Sequence, residues 1–438
     1  MSGPTWYHAA RAWVGGQVAT DVLIEVHEGR FASVTTGATA RPDAATLPGL
    51  VLPGLANAHS HAFHRALRGR THAGRGSFWT WRELMYDVAG TLDPDTYFAL
   101  AKAVYAEMAL AGITCVGEFH YLHHAPGGTR YAEPNAMGEA LIAAAAEAGI
   151  RITLLDALYL SSAVDGAPLE GVQLRFGDGD VDGWAERVSA LRADGHARIG
   201  AAVHSVRAVP ASALATLPKP AGPLHVHLSE QRAENEQCLA VHGCTPTELL
   251  RRHGLLGTST TAVHATHLTD GDIAALADGD TGATGACFCP TTERDLADGI
   301  GPARRLADAG VPLSLGSDSQ AVIDMFEEAR GLEMDERLAT EQRGHSTPAE
   351  LVAAAANHTA LGWTDAGAIA VGNRADLVAV SLDTVRTAGV DPTGAVFAAT
   401  AADVTHVVVD GRPVVTGGRH TGFDVAAALR NAIAAVLP

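Results

Sequence analysis

The chain has 438 residues, 47% of them apolar, which is long enough for one large barrel plus a companion domain around a sizeable core. Its formal net charge of −18 opposes a nucleic-acid or anionic-membrane partner, and five cysteines, an odd number with no CxxC pair, argue against a disulfide framework. No unbroken apolar run reads as a membrane span and residues 1–20 lack the apolar stretch of a signal peptide, so a cytoplasmic protein is expected.

In chain order, residues 21–34 read as two short strands turning at His27-Glu28-Gly29. Residues 375–381 and 404–416 have the same character, with Asp410-Gly411 as a hairpin turn. Such strands at both ends predict a small β-sandwich domain built from residues 1–50 and 366–438. Between them, strand-like runs begin near Gly49, Gly112, Arg151, Arg198, Gly222, Thr260, Thr281 and Val311. They alternate with Ala-rich helical stretches, the clearest at 100–111, 136–148, 183–193 and 348–361. The alternation predicts an α/β fold, a (β/α)₈ barrel over residues 51–365.

In such a barrel the chemistry gathers just past the C-terminal strand ends. His59 and His61 follow an apolar run at 50–56, Glu118 and His120 follow 113–116, and His204 follows 199–203. His227 and Glu230 close 223–230, His264 follows 261–263, and Asp318 follows 311–317. His59-Ser-His61 puts two imidazoles on one side of a strand end. With 21 histidines, about one HxH pair is expected by chance, so that pair alone says little. Agreement with His227, His264 and Asp318 changes the odds. A nitrogen-rich set with one carboxylate suits Zn²⁺ or another borderline divalent ion.

Pro53-Gly-Leu-Ala-Asn-Ala-His-Ser-His61, His225-Val-His-Leu-Ser-Glu230, Gly316-Ser-Asp318 and Val371-Gly-Asn-Arg-Ala-Asp-Leu-Val378 resemble motifs of the amidohydrolase superfamily, across nearly the whole chain. The resemblance implies metal ligands at His59, His61, His227 and Asp318. It also implies proton transfer by Glu230 and a hydrogen bond from His264 to the attacking water, with His225 structural. Relatives that bridge two metals do so through a lysine after the fourth strand. Here the lysines are Lys102 and Lys219, in an early helix and a Pro-rich loop, so one divalent ion is expected, Zn²⁺ or alternatively Fe²⁺. A divalent ion lowers the pKa of bound water toward about 7. Asp318 can accept the water's proton, and Glu230 is near enough to protonate a departing nitrogen.

Ser77-Phe-Trp-Thr-Trp-Arg-Glu-Leu-Met-Tyr86, Glu118-Phe-His-Tyr-Leu-His-His124 and His204-Ser-Val-Arg-Ala-Val209 resemble, more narrowly, the formimidoylglutamate deiminase subgroup. That subgroup turns N-formimidoyl-L-glutamate and water into N-formyl-L-glutamate and ammonia in histidine degradation. The resemblance implies substrate contacts from Arg82, Tyr121, His204 and Arg207, and a homodimer from family habit. An anionic small-molecule substrate also fits two arginine forks at one barrel mouth. Where the subgroup is expected to carry glutamine, this chain has His64, which can still donate a hydrogen bond.

Plainer readings stand beside these. A single arginine is more often a surface ion pair, Phe78, Trp79 and Trp81 serve equally well as packing of a lid loop, and Cys287 and Cys289 read as buried inert thiols. His123, His124 and His267 are candidates for orienting metal ligands. Two competing functions remain: a deaminase of guanine- or cytosine-type rings, and a barrel that has lost catalysis and serves as a scaffold.

Overall fold

The structure, a computed structural model, describes residues 5–72, 78–219 and 221–437, with the side chains of residues 78–80 excepted. Eight strands run parallel and pair in sequence order: Leu55–Ser60, Ile113–His120, Arg151–Leu158, Ala197–Val203, Leu224–Leu228, Thr260–His264, Gly285–Phe288 and Leu313–Leu315. The first and last meet through a parallel bridge between Ser60 and Asp318, with Asp318 N–H donating to His59 O (3.0 Å) and His61 N–H to Asp318 O (3.1 Å). Closure needs Gly316, where a Cβ would sit 2.8 Å from His59 Cβ and from its carbonyl oxygen. This is the expected (β/α)₈ barrel. Among the described residues no helix is long and apolar enough to cross a membrane.

A second sheet of eight strands gathers both chain ends, in the order 419–420, 412–416, 404–409, 377–380, 45–53, 5–14, 17–27, 30–35. Alternate residues such as Ile24, Val26, Phe31, Val51 and Leu377 bury an apolar core of their own. Both expected turns are present. Glu28 and Gly29 have φ of 49° and 76°, Asp410 and Gly411 of 46° and 75°, positive at both central positions as two-residue hairpin turns require.

The run read as the first barrel strand, residues 50–56, is in fact divided. Ala45–Pro53 pairs with Thr5–Val14 and Leu377–Val380 in the end-built sheet, and the barrel begins at Leu55. Gly54 is the crossing point, where a Cβ would lie 2.4 Å from Thr114 Oγ1 and 2.6 Å from Asp376 Cβ. Hydropathy cannot mark this break, because both halves are buried. Beneath it, the buried Arg151 guanidinium bridges Asp376 (2.9 Å) and Asp410 (3.1 Å), tying the third barrel strand to the second sheet.

Helices follow their sequence signals. Ala136–Ala148 has the predicted bounds and stops at Gly149 in a left-handed cap. Pro94–Leu110 starts earlier than expected because Asp93 caps it, its carboxylate accepting from Thr96 N–H at 2.8 Å, a device worth about 1 kcal/mol. The stretch 348–361 divides into Pro348–Ala355 and a short 3₁₀ turn, His358–Leu361, capped by Asn357.

Candidate active site

Strand alternation decides which polar residues face the barrel axis. In the second strand Phe119 stacks on His227 inside the barrel (4.2 Å between ring centroids), so its neighbours Glu118 and His120 point the other way. They lie within the strand, not past its end. Glu118 accepts from Ser60 Oγ and Ala62 N–H, both at 2.7 Å, behind the His59–His61 segment. Burial pushes its carboxyl up to about 8 against those hydrogen bonds. His120 joins a separate network with His123 and Asp156.

At the mouth His59, His61, His227, His264 and Asp318 converge. His59 Nε2 lies 3.3 Å and His61 Nε2 3.5 Å from Asp318 Oδ1, and His227 Nε2 is 3.1 Å from His59 Nε2. His264 Nε2 stands slightly back, 3.8 Å from Asp318 Oδ2 and 3.9 Å from Glu230 Oε1. Strand-end backbone carries the cost of this convergence. Ser229, His264, Ala265, Asp318 and Gln320 take positive φ of 51°, 69°, 47°, 40° and 60°, a strain of order 1 kcal/mol or more each for non-glycine residues.

Whether these residues fit a metal can be judged from their tautomers. His61 Nδ1 faces Phe119 O at 2.9 Å and His227 Nδ1 faces His204 O at 2.8 Å. A carbonyl only accepts, so each ring places its proton on Nδ1 and turns an Nε2 lone pair inward. Burial holds all three imidazoles neutral: His61 falls to about 3, and His59 and His227 lie well below the usual histidine value. Two lone pairs and a carboxylate therefore converge in a buried site. Such an acceptor set is balanced by a divalent cation, and the donors fit one.

His264 behaves differently. Burial lowers it, but Glu230, Glu293 and Asp318 outweigh burial and bring it to about 10. Its Nδ1 lies 3.4 Å from Glu293 Oε1. A cation bound nearby would push it back down.

The expected substrate residues line the same cavity: His64, Arg82, Tyr121, His204 and Arg207, together with His61, His227, Glu230, His264 and Asp318. His64 Nε2 pairs with Tyr121 Oη at 3.0 Å, and its ring packs on Trp81 (5.0 Å). Arg82 Nε donates to Tyr86 Oη (2.6 Å), which also accepts from Gln173 Nε2 (3.1 Å). Arg207 pairs with Glu230 at 2.9 Å and with Glu234 at 3.1 Å. Ser77 and the side chains of Phe78 and Trp79 lie outside the described residues.

Among the described residues, the three histidines proposed to orient metal ligands touch none of them. His123 Nε2 donates to Ala157 O (2.9 Å), His124 Nε2 pairs with Asp178 (3.0 Å), and His267 Nε2 donates to Asp298 O (2.8 Å). Backbone carbonyls of Phe119 and His204 instead fix the rings of His61 and His227. His225, read as structural, is so: its Nε2 donates to Ala360 O at 2.9 Å. Cys287 and Cys289 are buried free thiols. Sequence reasoning passed over Tyr159, Phe176, Glu234 and Glu293. Tyr159 stands one residue past the third strand and packs edge-on against His204 at 4.4 Å between ring centroids, so the strand-end rule applied to every strand would have found it. Glu293 lies a helical turn beyond the seventh strand and gave no signal.

Comparison with known proteins agrees with this geometry. The chain is 36% identical to a formimidoylglutamate deiminase of Pseudomonas aeruginosa, over 94% of this chain and 95% of that one. It is 30% identical to an 8-oxoguanine deaminase of the same organism, over 86% and 85%. A crystal structure of an amidohydrolase from Brucella melitensis superposes with a TM-score of 0.91 at 34% identity, covering 99% of this chain and 100% of that one. With the amidohydrolase family profile matching residues 50–414, the whole barrel and its return into the second sheet, the chain belongs to the amidohydrolase family.

Proposed function

We propose that this chain is a metal-dependent deiminase that hydrolyses N-formimidoyl-L-glutamate to N-formyl-L-glutamate and ammonia. The observation that carries the reading is one cavity holding both an acceptor-only histidine–carboxylate cluster and two arginines, Arg82 and Arg207. A linear amidine with two carboxylates matches it, and the relative at 36% identity is a formimidoylglutamate deiminase.

His59, His61, His227 and Asp318 would hold a single ion, Zn²⁺ by its preference for imidazole nitrogen. The fourth strand, Ala197–Val203, carries no lysine to bridge a second. When bound, the ion supplies a Lewis acid and a water of lowered pKa. The remaining work belongs to the protein. Asp318 takes the water's proton, and His264 orients the water's oxygen toward the formimidoyl carbon. Glu230 carries a proton to the departing nitrogen, because ammonia leaves only when that nitrogen is protonated. The C–N bond breaks, its electrons leave with ammonia, and the formyl C=O forms. Arg82 and Arg207 each take a carboxylate, with Tyr121, His204 and His64 closing around the backbone of the substrate.

The aromatic walls of Trp81, Tyr121, Tyr159 and Phe176, with a relative that is an 8-oxoguanine deaminase, favour a flat ring as the second reading. Ammonia release from N-formimidoyl-L-glutamate and from guanine, measured side by side, decides. Release from the amidine is expected, and release from guanine alone ends the deiminase reading. Fewer than half an ion per purified chain, with no activity on adding Zn²⁺, would return the scaffold.

A further inference from the structure

Two phenols, Tyr86 and Tyr159, line the cavity together with Arg82 and Arg207. One side chain joins them. Gln173, in the short 3₁₀ turn Gly171–Arg175, brings its Nε2 within 3.1 Å of Tyr86 Oη and 3.4 Å of Tyr159 Oη. The amide has a single orientation, because Glu170 N–H, which only donates, reaches its Oε1 at 3.3 Å. Nε2 is therefore the donor to both phenols. The turn is held from behind by the buried Arg175, which donates to His124 O (2.7 Å) and to Leu92 O (2.6 Å).

A phenol oxygen has two lone pairs and one proton. At Tyr86 both lone pairs are taken, by Gln173 Nε2 and by Arg82 Nε at 2.6 Å, so only the proton is left to give. Accepting from a guanidinium also polarises that O–H and strengthens it as a donor. Tyr159 accepts from the same amide, and its ring is fixed edge-on against His204 and Phe176. Burial, helped by Tyr86, pushes the Tyr159 phenol up to about 12 against the charges of Arg82 and Arg207, so it holds its proton at neutral pH. Among the described residues neither hydroxyl proton has an acceptor. We propose that the missing acceptor is a carboxylate of the substrate: Tyr86 and Tyr159 donate to it beside Arg82, and Gln173 positions both hydroxyls. This rests on the substrate reading above and deepens it, by naming the groups that make the site choose a carboxylate. Hydrogen bonds to a charged acceptor are the strong kind, and these are made alike before and during reaction, so they act on binding.

Tyr86→Phe and Tyr159→Phe remove one donor each and keep the ring. Each should raise KM for N-formimidoyl-L-glutamate by about 10-fold or more, the worth of a hydrogen bond to a charged group, while kcat changes by no more than about threefold. A native KM in both variants, or a fall in kcat with KM unmoved, overturns the assignment. Binding of the product N-formyl-L-glutamate, followed by calorimetry, needs no turnover, and its Kd should rise in step with KM. Gln173→Leu should weaken binding about as much as the Tyr86→Phe, Tyr159→Phe double variant, and add less than about twofold when combined with it, since Gln173 acts through the two phenols. An equal loss from Gln173→Leu in the native and double-variant backgrounds overturns its positioning role. If the native chain releases no ammonia from N-formimidoyl-L-glutamate, the substrate reading fails, and glutarate, a plain dicarboxylate, replaces the product in the calorimetry. Glutarate binding that weakens about 10-fold in the phenylalanine variants still supports the carboxylate site, and binding that is unchanged in them, or absent from the native chain, overturns it.

Discussion

Two buried clusters in this barrel offer nearly the same ligand atoms. His59, His61 and His227 lie with Asp318 at the mouth, and His120 and His123 lie with Asp156 between barrel and helices; in both, groups of three ligand atoms fall within 4.8 Å of one another. What separates them is whether the acceptors are already answered. Asp156 receives Arg187 at both oxygens (2.8 Å each) and Trp184 Nε1 at 3.1 Å. Arg187 also reaches Asp178 (2.8 and 2.9 Å) and Asn135 (3.2 Å). A cation is therefore in place, and it is a guanidinium. Among the described residues, the side chains that face the Asp318 carboxylate are imidazoles: His59 and His61, kept neutral by burial, at 3.3 and 3.5 Å, and His264 at 3.8 Å. The residue types are shared; what marks the proposed metal centre is a carboxylate met by inward-turned imidazole nitrogens in place of a guanidinium.

Asp318→Ala should break the mouth cluster outright. Activity falls by about 10⁴-fold or more, since the proposed ligand and the proposed proton acceptor go together, and metal per chain falls with it. His123→Ala should leave metal content at the native value; a loss of metal there would mean that both clusters bind ions. Next in size is Arg187→Met, which leaves two buried carboxylates without their guanidinium. We expect a loss of about 3–5 kcal/mol of stability by denaturant unfolding, with metal content unchanged in the folded fraction. A variant of native stability would show that the pairing is not what holds this region.

The same contrast explains what could be read from the sequence. The mouth was legible because strand ends project side chains in register, so His59, His61, His227, His264 and Asp318 could be placed from apolar runs alone. The second cluster was not, because parity went unheeded: with Phe119 facing inward, Glu118 and His120 must face outward, and His123 and His124 followed them into a structural network. Contacts made by backbone also leave no trace in residue identity. The carbonyls of Phe119 and His204 fix two tautomers, and any residue at those positions would supply one. The division at Gly54 was hidden in the same way, since a strand leaving one buried sheet for another stays apolar throughout.

A smaller effect tests how far the mouth depends on its supports. Behind the proposed ligands runs a chain of hydrogen bonds: Asn57 Nδ2 to Ser317 Oγ (2.6 Å), Ser317 Oγ to Gln320 Oε1 (2.7 Å), Gln320 Nε2 to Ser60 Oγ (2.9 Å), and Ser60 Oγ to Glu118 (2.7 Å). It fastens the first strand to the eighth, flanking His59, His61 and Asp318. Gln320→Leu cuts it in the middle at similar volume. Metal affinity, measured by competition with a chelator, should fall by about 10- to 100-fold, the range seen when partners of ligands are removed. An unchanged affinity would assign the chain to barrel closure alone.

The smallest effect shows what an answered carboxylate is worth near the surface. Burial raises Asp403, but Arg386 (2.8 Å), Thr384 Oγ1 (2.8 Å) and Thr400 N–H (2.9 Å) outweigh it and bring the carboxyl down to about 2. A carboxyl lowered in the folded chain adds stability that is fully present above its unfolded value near 3.8 and is lost as pH falls through about 2. Arg386 is 42% exposed, so water and salt screen its share. Arg386→Ala should lower stability slightly at pH 7, by less in 1 M salt, and by nothing measurable below pH 2. Thus Arg386 and Arg187 do the same job at very different depth. A cost at pH 7 equal to that of Arg187→Met would mean that burial adds nothing to the worth of a paired carboxylate, and the contrast between the two clusters would then rest on geometry alone.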